Sequence, residues 1–185
     1  MKEYLDIVTE EGLPTGEVVE RSIAHREGIR HRTAHVWLFR RRNGVIEVLV
    51  QKRSADKDLY PGCYDVSSAG HIPAGSDFVP SAVRELQEEL GLTVAPEELR
   101  QVGQRRFRWE GDGMIDCQVS NVYRLWKDVE AEDLQIQESE LESVVWLPFG
   151  ELIQAVADNR IRHCIWMEEL EILQRGLAEE GIRLA

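Results

Sequence analysis

The chain is poor in cysteine. Its 185 residues hold three thiols, Cys63, Cys117 and Cys164, widely spaced and without a C-x-x-C pair. That pattern argues against a disulfide framework or a cysteine zinc site and reads as reduced thiols in a cytoplasmic protein. No run approaches the ~20 apolar residues needed to cross a bilayer, so no membrane association is expected. The first residues, MKEYLDIVTEEG, are acidic and lack the apolar stretch of a secretory signal. Positive charge is also scarce: 22 Lys and Arg stand against 34 Asp and Glu, a net −12 at pH 7. Such a field repels phosphate backbones and argues against general nucleic-acid binding. A small anion remains acceptable where a bound cation or a few basic side chains reverse the sign locally. Internal repeats, low-complexity tracts and linkers are lacking too, so residues 1–185 are expected to form one domain.

What is present is a chain 43% hydrophobic and 30% charged, enough apolar material for a core without staples. Apolar alternation predicts strands at 4–8 and 17–22 around Gly12-Leu13-Pro14-Thr15-Gly16, which could pair as an N-terminal hairpin within residues 1–30. A clear strand at 34–39 and another at 45–51 flank Asn43-Gly44, a strong hairpin signal. Further strands are expected at 65–68, 102–109, 114–126 and 143–147. Helical spacing appears at 81–90, 149–158 and 164–180, with Pro148 leading the second. The last of these could pack within the chain or at a homodimer interface. This order suggests an α/β fold with a mixed sheet covered on both faces.

The helix at 81–90 carries the chemical signal. Ala82, Val83, Leu86 and Leu90 fill one side, while Glu85, Glu88 and Glu89 share another arc with Arg84 at its margin. Two unit charges about 5 Å apart at an effective dielectric near 20 repel by roughly 3 kcal/mol. Three carboxylates so placed favour a hard cation, and an all-oxygen donor set suits Mg²⁺ or Mn²⁺ better than zinc. The tight loop from Gly70 to Gly75 could bring a backbone carbonyl to the same ion.

The 23 residues from Gly70 to Leu92 resemble the Nudix box, G-x5-E-x7-R-E-U-x-E-E-x-G-U, at every defined position but one. Ser76 stands where the first glutamate belongs, followed by Asp77. The resemblance implies a Nudix-type α/β/α sandwich with a mixed central sheet, acting as a divalent-cation-dependent hydrolase on small-molecule diphosphates such as nucleoside diphosphate derivatives. By similarity, Glu85, Glu88 and Glu89 would bind metal, Gly70 would offer its carbonyl, and Arg84 would orient Glu85. Serine can cap a helix but supplies no charge, so Ser76 bears on catalytic vigour more than on fold.

A closer resemblance is to the isopentenyl-diphosphate isomerase-like branch, carried by His31 in HRTAHVWLF, Tyr60-Pro61-Gly62, Gly70-His71 and Glu140 before Trp146. In that isomerase two histidines and two late glutamates hold an additional metal, and His31, His71, Glu138 and Glu140 match in type and approximate place. Glu140 is also a candidate base. The isomerase has a catalytic cysteine just before Gly-His, whereas this chain has Ala69, whose methyl group cannot move a proton. A hydrolase with isomerase-like architecture is therefore expected, ahead of an isomerase or a Nudix-like binding protein that has lost catalysis. Lys52, Arg53 and Lys57 are candidates for contact with diphosphate oxygens. His35 reads as structural, His25 gains little support from its spacing, and the aromatic residues read as core rather than as stacking surfaces.

Overall fold

The computed structural model of the protein describes residues 2–56, 60–111 and 113–184. Strands β1 (Tyr4–Val8) and β2 (Pro14–Glu20) pair antiparallel, and α1 (Arg21–Glu27) follows directly. The extended run expected at 17–22 thus ends at Glu20. Arg21 and Ser22 bring no further apolar alternation, Ala24 is fully buried beside Leu5, and Gly28 closes the helix in the left-handed region at φ 67°.

Strands β3 (His31–Arg42) and β4 (Val45–Arg53) turn on Asn43-Gly44, both at positive φ, as a tight hairpin requires. Strand β5 (Tyr64–Asp65) adds to β4, and β6 (Ser68–His71) to residues 33–36 of β3, so the segment expected at 65–68 is split at Val66-Ser67. Ser67 is fully buried where β3 and β4 diverge. Its hydroxyl accepts from the Leu38 N–H (2.8 Å) and donates to the Leu49 carbonyl (2.6 Å), satisfying two groups that the split leaves without a ladder partner.

Helix α2 (Phe78–Leu90) comes next, starting three residues earlier than expected, with Pro80 accommodated in its first turn. Strands β7 (Arg100–Gly111) and β8 (Met114–Trp126) form an antiparallel pair, and β8 runs parallel to β3 from His31 to Phe39. Strand β9 (Leu141–Pro148) pairs with the outer edge of β4. Helices α3 (Phe149–Ala157) and α4 (Met167–Glu179) end the chain. Residues 163 and 164 are drawn onto Tyr64 by a bridge and by a Cys164 N–H to Tyr64 carbonyl bond (3.0 Å), which delays the start of α4.

The result is a seven-stranded mixed sheet between helices. Alternation along β3 divides the core. Ala34, Val36 and Leu38 meet Ala82, Leu86 and Leu90 of α2, while Trp37 and Phe39 meet Phe149, Leu170 and Leu173 on the opposite side. Complete burial of a leucine such as Leu86 stabilises the fold by about 2 kcal/mol. The architecture is the expected α/β/α sandwich. Among the described residues no helix is long and apolar enough to cross a membrane.

Candidate active site

A cavity of about 430 Å³ lies where β6, which pairs with β3 alone, leaves the sheet open beside α2. Gly70 and the three glutamates of α2 all line it. A side chain at Gly70 would displace Glu85, because a β-carbon there would stand 2.6 Å from Glu85 Oε1. Glu85 therefore lies directly over the β6 backbone, where burial raises its carboxyl above the ordinary range while Arg84 opposes that rise through a 2.5 Å hydrogen bond. Arg84 also approaches Glu88 (3.8 Å) from the same helix, and Glu88 keeps a largely exposed side chain. Glu89 is buried and accepts from the Ala69 N–H (3.2 Å), and desolvation pushes its carboxyl up to about 8. The three acids thus share one cavity wall in three different states: Glu85 paired, Glu88 exposed, Glu89 protonated at neutral pH.

The tightest grouping of donors lies beside them and includes His25, to which its spacing in the sequence lent little support. Nitrogens of His25, His31 and His71 lie within 4.8 Å of one another, the one such cluster of metal-ligand side chains among the described residues. His31 opens β3, His71 ends β6, and His25 sits on α1. Gly28 lets α1 settle on β8, since a β-carbon there would meet Ile115 Cγ2 at 2.6 Å. That placement brings Asp116, the next residue on β8, to 3.8 Å from both His25 Nε2 and His31 Nε2. His31 Nδ1 is 2.9 Å from the Ile29 carbonyl and must carry its hydrogen there, so its Nε2 presents a lone pair. Both His31 Nε2 and Asp116 Oδ1 are buried without a hydrogen-bond partner. Two buried acceptors facing each other with no donor between them fit a cation. Burial lowers all three imidazoles below the usual histidine range, which keeps them in the neutral, ligating form.

The structure does not bring Glu138 or Glu140 into this cluster. Glu138 is exposed on the loop before β9 and lies outside the cavity. Glu140 lines the cavity together with the α2 glutamates. Asp116 occupies the acidic place expected of the late glutamates, and its signal was hidden because it lies mid-strand. Among the basic candidates, Arg53 lines the cavity and pairs with Asp65 (3.1 Å), whereas Lys52 turns outward to Glu142 (2.7 Å). Lys57 falls outside the described residues.

The missing box glutamate has a local counterpart from the N-terminal strand. Asp6 Oδ2 accepts from the Gly75 N–H (3.0 Å) and from Arg32 (2.8 Å), and Arg32 also donates to the Ser76 carbonyl (2.8 Å). A buried carboxylate and guanidinium therefore tie the loop that precedes α2 to β1 and β3. Asp77 takes the cap position of α2 without a side-chain capping bond.

A family model for the NUDIX domain matches residues 29–170, and the chain belongs to that family of hydrolases. It is 34% identical over 160 residues to an uncharacterised Nudix hydrolase of Clostridium acetobutylicum, covering 86% of this chain and 76% of that one. Against Nudix hydrolase 3 of Arabidopsis thaliana it is 36% identical over 156 residues, 81% of this chain, and it spans only 20% of that relative's length. Isopentenyl-diphosphate Delta-isomerase of Escherichia coli is 25% identical over 166 residues, 89% of this chain and 87% of the isomerase. The crystal structure of DR0079 from Deinococcus radiodurans shares the fold with a TM-score of 0.71 at 19% identity, covering 91% of this chain and 98% of that one.

Proposed function

We propose that this Nudix hydrolase cleaves a diphosphate linkage in a small molecule such as a nucleoside diphosphate derivative, with Mg²⁺ or Mn²⁺, and that residues 1–185 act as one domain in the cytoplasm. The observation that carries this reading is the convergence of Glu85, Glu88, Glu89 and Gly70 on one cavity that the basic Arg53 also lines. Glu85, Glu88, Glu89 and the Gly70 carbonyl are the candidate holders of a hard divalent ion, with Glu140 at hand on the same cavity. His25, His31, His71 and Asp116 are candidate holders of a second ion, and their nitrogen-rich set suits a transition metal such as Mn²⁺ or Zn²⁺ better than Mg²⁺. A divalent ion held by the α2 glutamates would neutralise diphosphate oxygens and make water more acidic.

The protein's own groups then have definable tasks. Arg53 offers fixed donors to phosphate oxygens. Arg84 holds Glu85 in one orientation. Glu89, protonated at neutral pH while the site is empty, would give up its proton to a divalent ion engaging it, and Glu140 on the same cavity is the candidate base that takes a proton from water. Water attacks phosphorus, its proton passes to the carboxylate, and the bridging P–O bond breaks to release the second phosphate group.

The experiment is a diphosphate panel with varied divalent ions, comparing wild type with Glu88→Gln and Glu85→Gln. Metal-dependent phosphate release, reduced by about 100-fold or more in the variants, is expected. No release from any member would sink the reading. The likeness to the isomerase and the histidine cluster favour isomerisation as a second reading, while Ala69 removes the proton-transfer thiol. Appearance of the allylic isomer from isopentenyl diphosphate would establish it.

A further inference from the structure

The segment that joins Gly70 to α2 is held from the N-terminal hairpin. After β6 ends at His71 the chain turns on Gly75, at φ 74°, and the Ser76 N–H donates to the Pro73 carbonyl (3.0 Å). Strand β1 lies along this turn. Leu5 bridges to Pro73, the Ala74 N–H donates to the Tyr4 carbonyl (2.8 Å), and the Gly75 N–H donates to Asp6 Oδ2 (3.0 Å). Arg32 of β3 grips the same segment at both ends. Its carbonyl accepts from the Ile72 N–H (3.0 Å), which continues the pairing of β3 with β6 by one residue. Its Nη2 donates to the Ser76 carbonyl and to Asp6 Oδ2, both at 2.8 Å. The guanidinium also lies 5.2 Å from the ring of Phe78, the first residue of α2.

The residue type at position 6 matters. Arg32 is buried, and a buried guanidinium needs an anion, while the Gly75 N–H beside it needs an acceptor. One carboxylate oxygen meets both needs, and no neutral side chain does. Ser76 brings no charge of its own, and α2 has no acidic residue in its first turn. Without Asp6 the guanidinium would turn towards water and release the Ser76 carbonyl, freeing the end of the loop from β3. That end sets where α2 begins. Glu85 stands against the Gly70 backbone, so a small displacement of the helix separates its glutamates from the Gly70 carbonyl.

We infer that Asp6 is a positioning residue: acting through Arg32, it holds residues 72–76 so that the Gly70 carbonyl and Glu85, Glu88 and Glu89 face one ion, and it does so in place of a carboxylate at position 76. The N-terminal hairpin is thereby part of the support of the metal site. This rests on the reading of the α2 glutamates as holders of a hard divalent ion.

The test compares wild type, Asp6→Ala, Asp6→Asn, and Asp6→Ala combined with Ser76→Glu, each as the full chain and under conditions where circular dichroism shows it folded. Mg²⁺ is titrated while the amide shifts of Ala69 and Gly70 are followed by magnetic resonance, because the oxygen donors beside Gly70 suit that ion better than the histidine cluster does. Asp6→Ala should weaken Mg²⁺ binding by about 10-fold or more, the scale of a lost supporting contact around a metal. Asp6→Asn, which keeps an acceptor for Gly75 but no charge for Arg32, should fall between the two. Adding Ser76→Glu to Asp6→Ala should restore most of the affinity, because it returns an anion to the neighbourhood of Arg32. Should Asp6→Ala fail to fold, Asp6→Asn with and without Ser76→Glu carries the comparison. Wild-type Mg²⁺ affinity in the Asp6 variants, or a loss that Ser76→Glu leaves uncorrected, overturns the positioning role, and so does a wild type whose Ala69 and Gly70 amides ignore Mg²⁺. Mg²⁺ binding that depends on Asp6 without turnover of any diphosphate would refute the hydrolase reading and leave the positioning role standing. Metal-dependent turnover that Asp6→Ala leaves unimpaired would do the reverse.

Discussion

Replacing Glu89 by glutamine should make the metal-free protein more stable at neutral pH, although the substitution removes a candidate ligand. Burial raises the Glu89 carboxyl from 4.5 to about 8. In the folded state it therefore holds its proton at pH 7, while in the unfolded chain it has lost it. The sign follows: stability from this group is greatest below 4.5, declines as pH rises, and levels off above about 8. Each pH unit between the two values removes about 1.4 kcal/mol, so wild type should lose about 3 kcal/mol between pH 5 and 7 through this group. Glutamine keeps a carbonyl to accept from the Ala69 N–H and carries no such slope. The assay is urea unfolding of both proteins with a chelator present across that interval. Stability curves that run parallel in wild type and Glu89→Gln would refute the reasoning. The same shift predicts that a divalent ion engaging Glu89 at pH 7 displaces about one proton, measurable by calorimetry in buffers of different ionisation enthalpy.

Gly70→Ala places a methyl group against Glu85 and should lower turnover by about 10-fold or more while unfolding stability changes less, since Glu85 can swing away. His25→Ala should weaken Mn²⁺ or Zn²⁺ binding by about 10-fold or more, read by competition with a chromogenic chelator, and unchanged affinity would remove His25 from the site. Asp6→Ala leaves buried Arg32 without its carboxylate and should cost about 3–5 kcal/mol in urea unfolding, with Asp6→Asn milder because an acceptor for Gly75 remains.

What could be read in advance was what repeats locally. The hairpin at Asn43-Gly44 follows from a turn that needs two positive φ angles, and β8 follows from β-forming apolar residues interleaved with polar ones after Gly113. The acidic face of α2 follows from helical spacing alone. What could not be read depends on contacts between residues far apart in the chain. His25 was obscure because its helix has seven residues, too short for a clear period, and follows a strand without a break. Asp116 looks like one polar residue alternating along a strand until the parallel pairing of β3 and β8 brings it beside His31. Phe107 and Trp166 carry apolar patterns that suit a core, yet both line the cavity. Glu169 and His35, 134 positions apart, leave no trace of their bond in either local segment.

The most direct measurement is phosphate release from nucleoside diphosphate derivatives by the purified protein, with and without added Mg²⁺ or Mn²⁺, at neutral pH. The account predicts release that requires the ion and falls sharply in Glu88→Gln, a substitution at an exposed side chain that leaves the fold intact. Release that persists under chelation, or that Glu88→Gln leaves untouched, would contradict it.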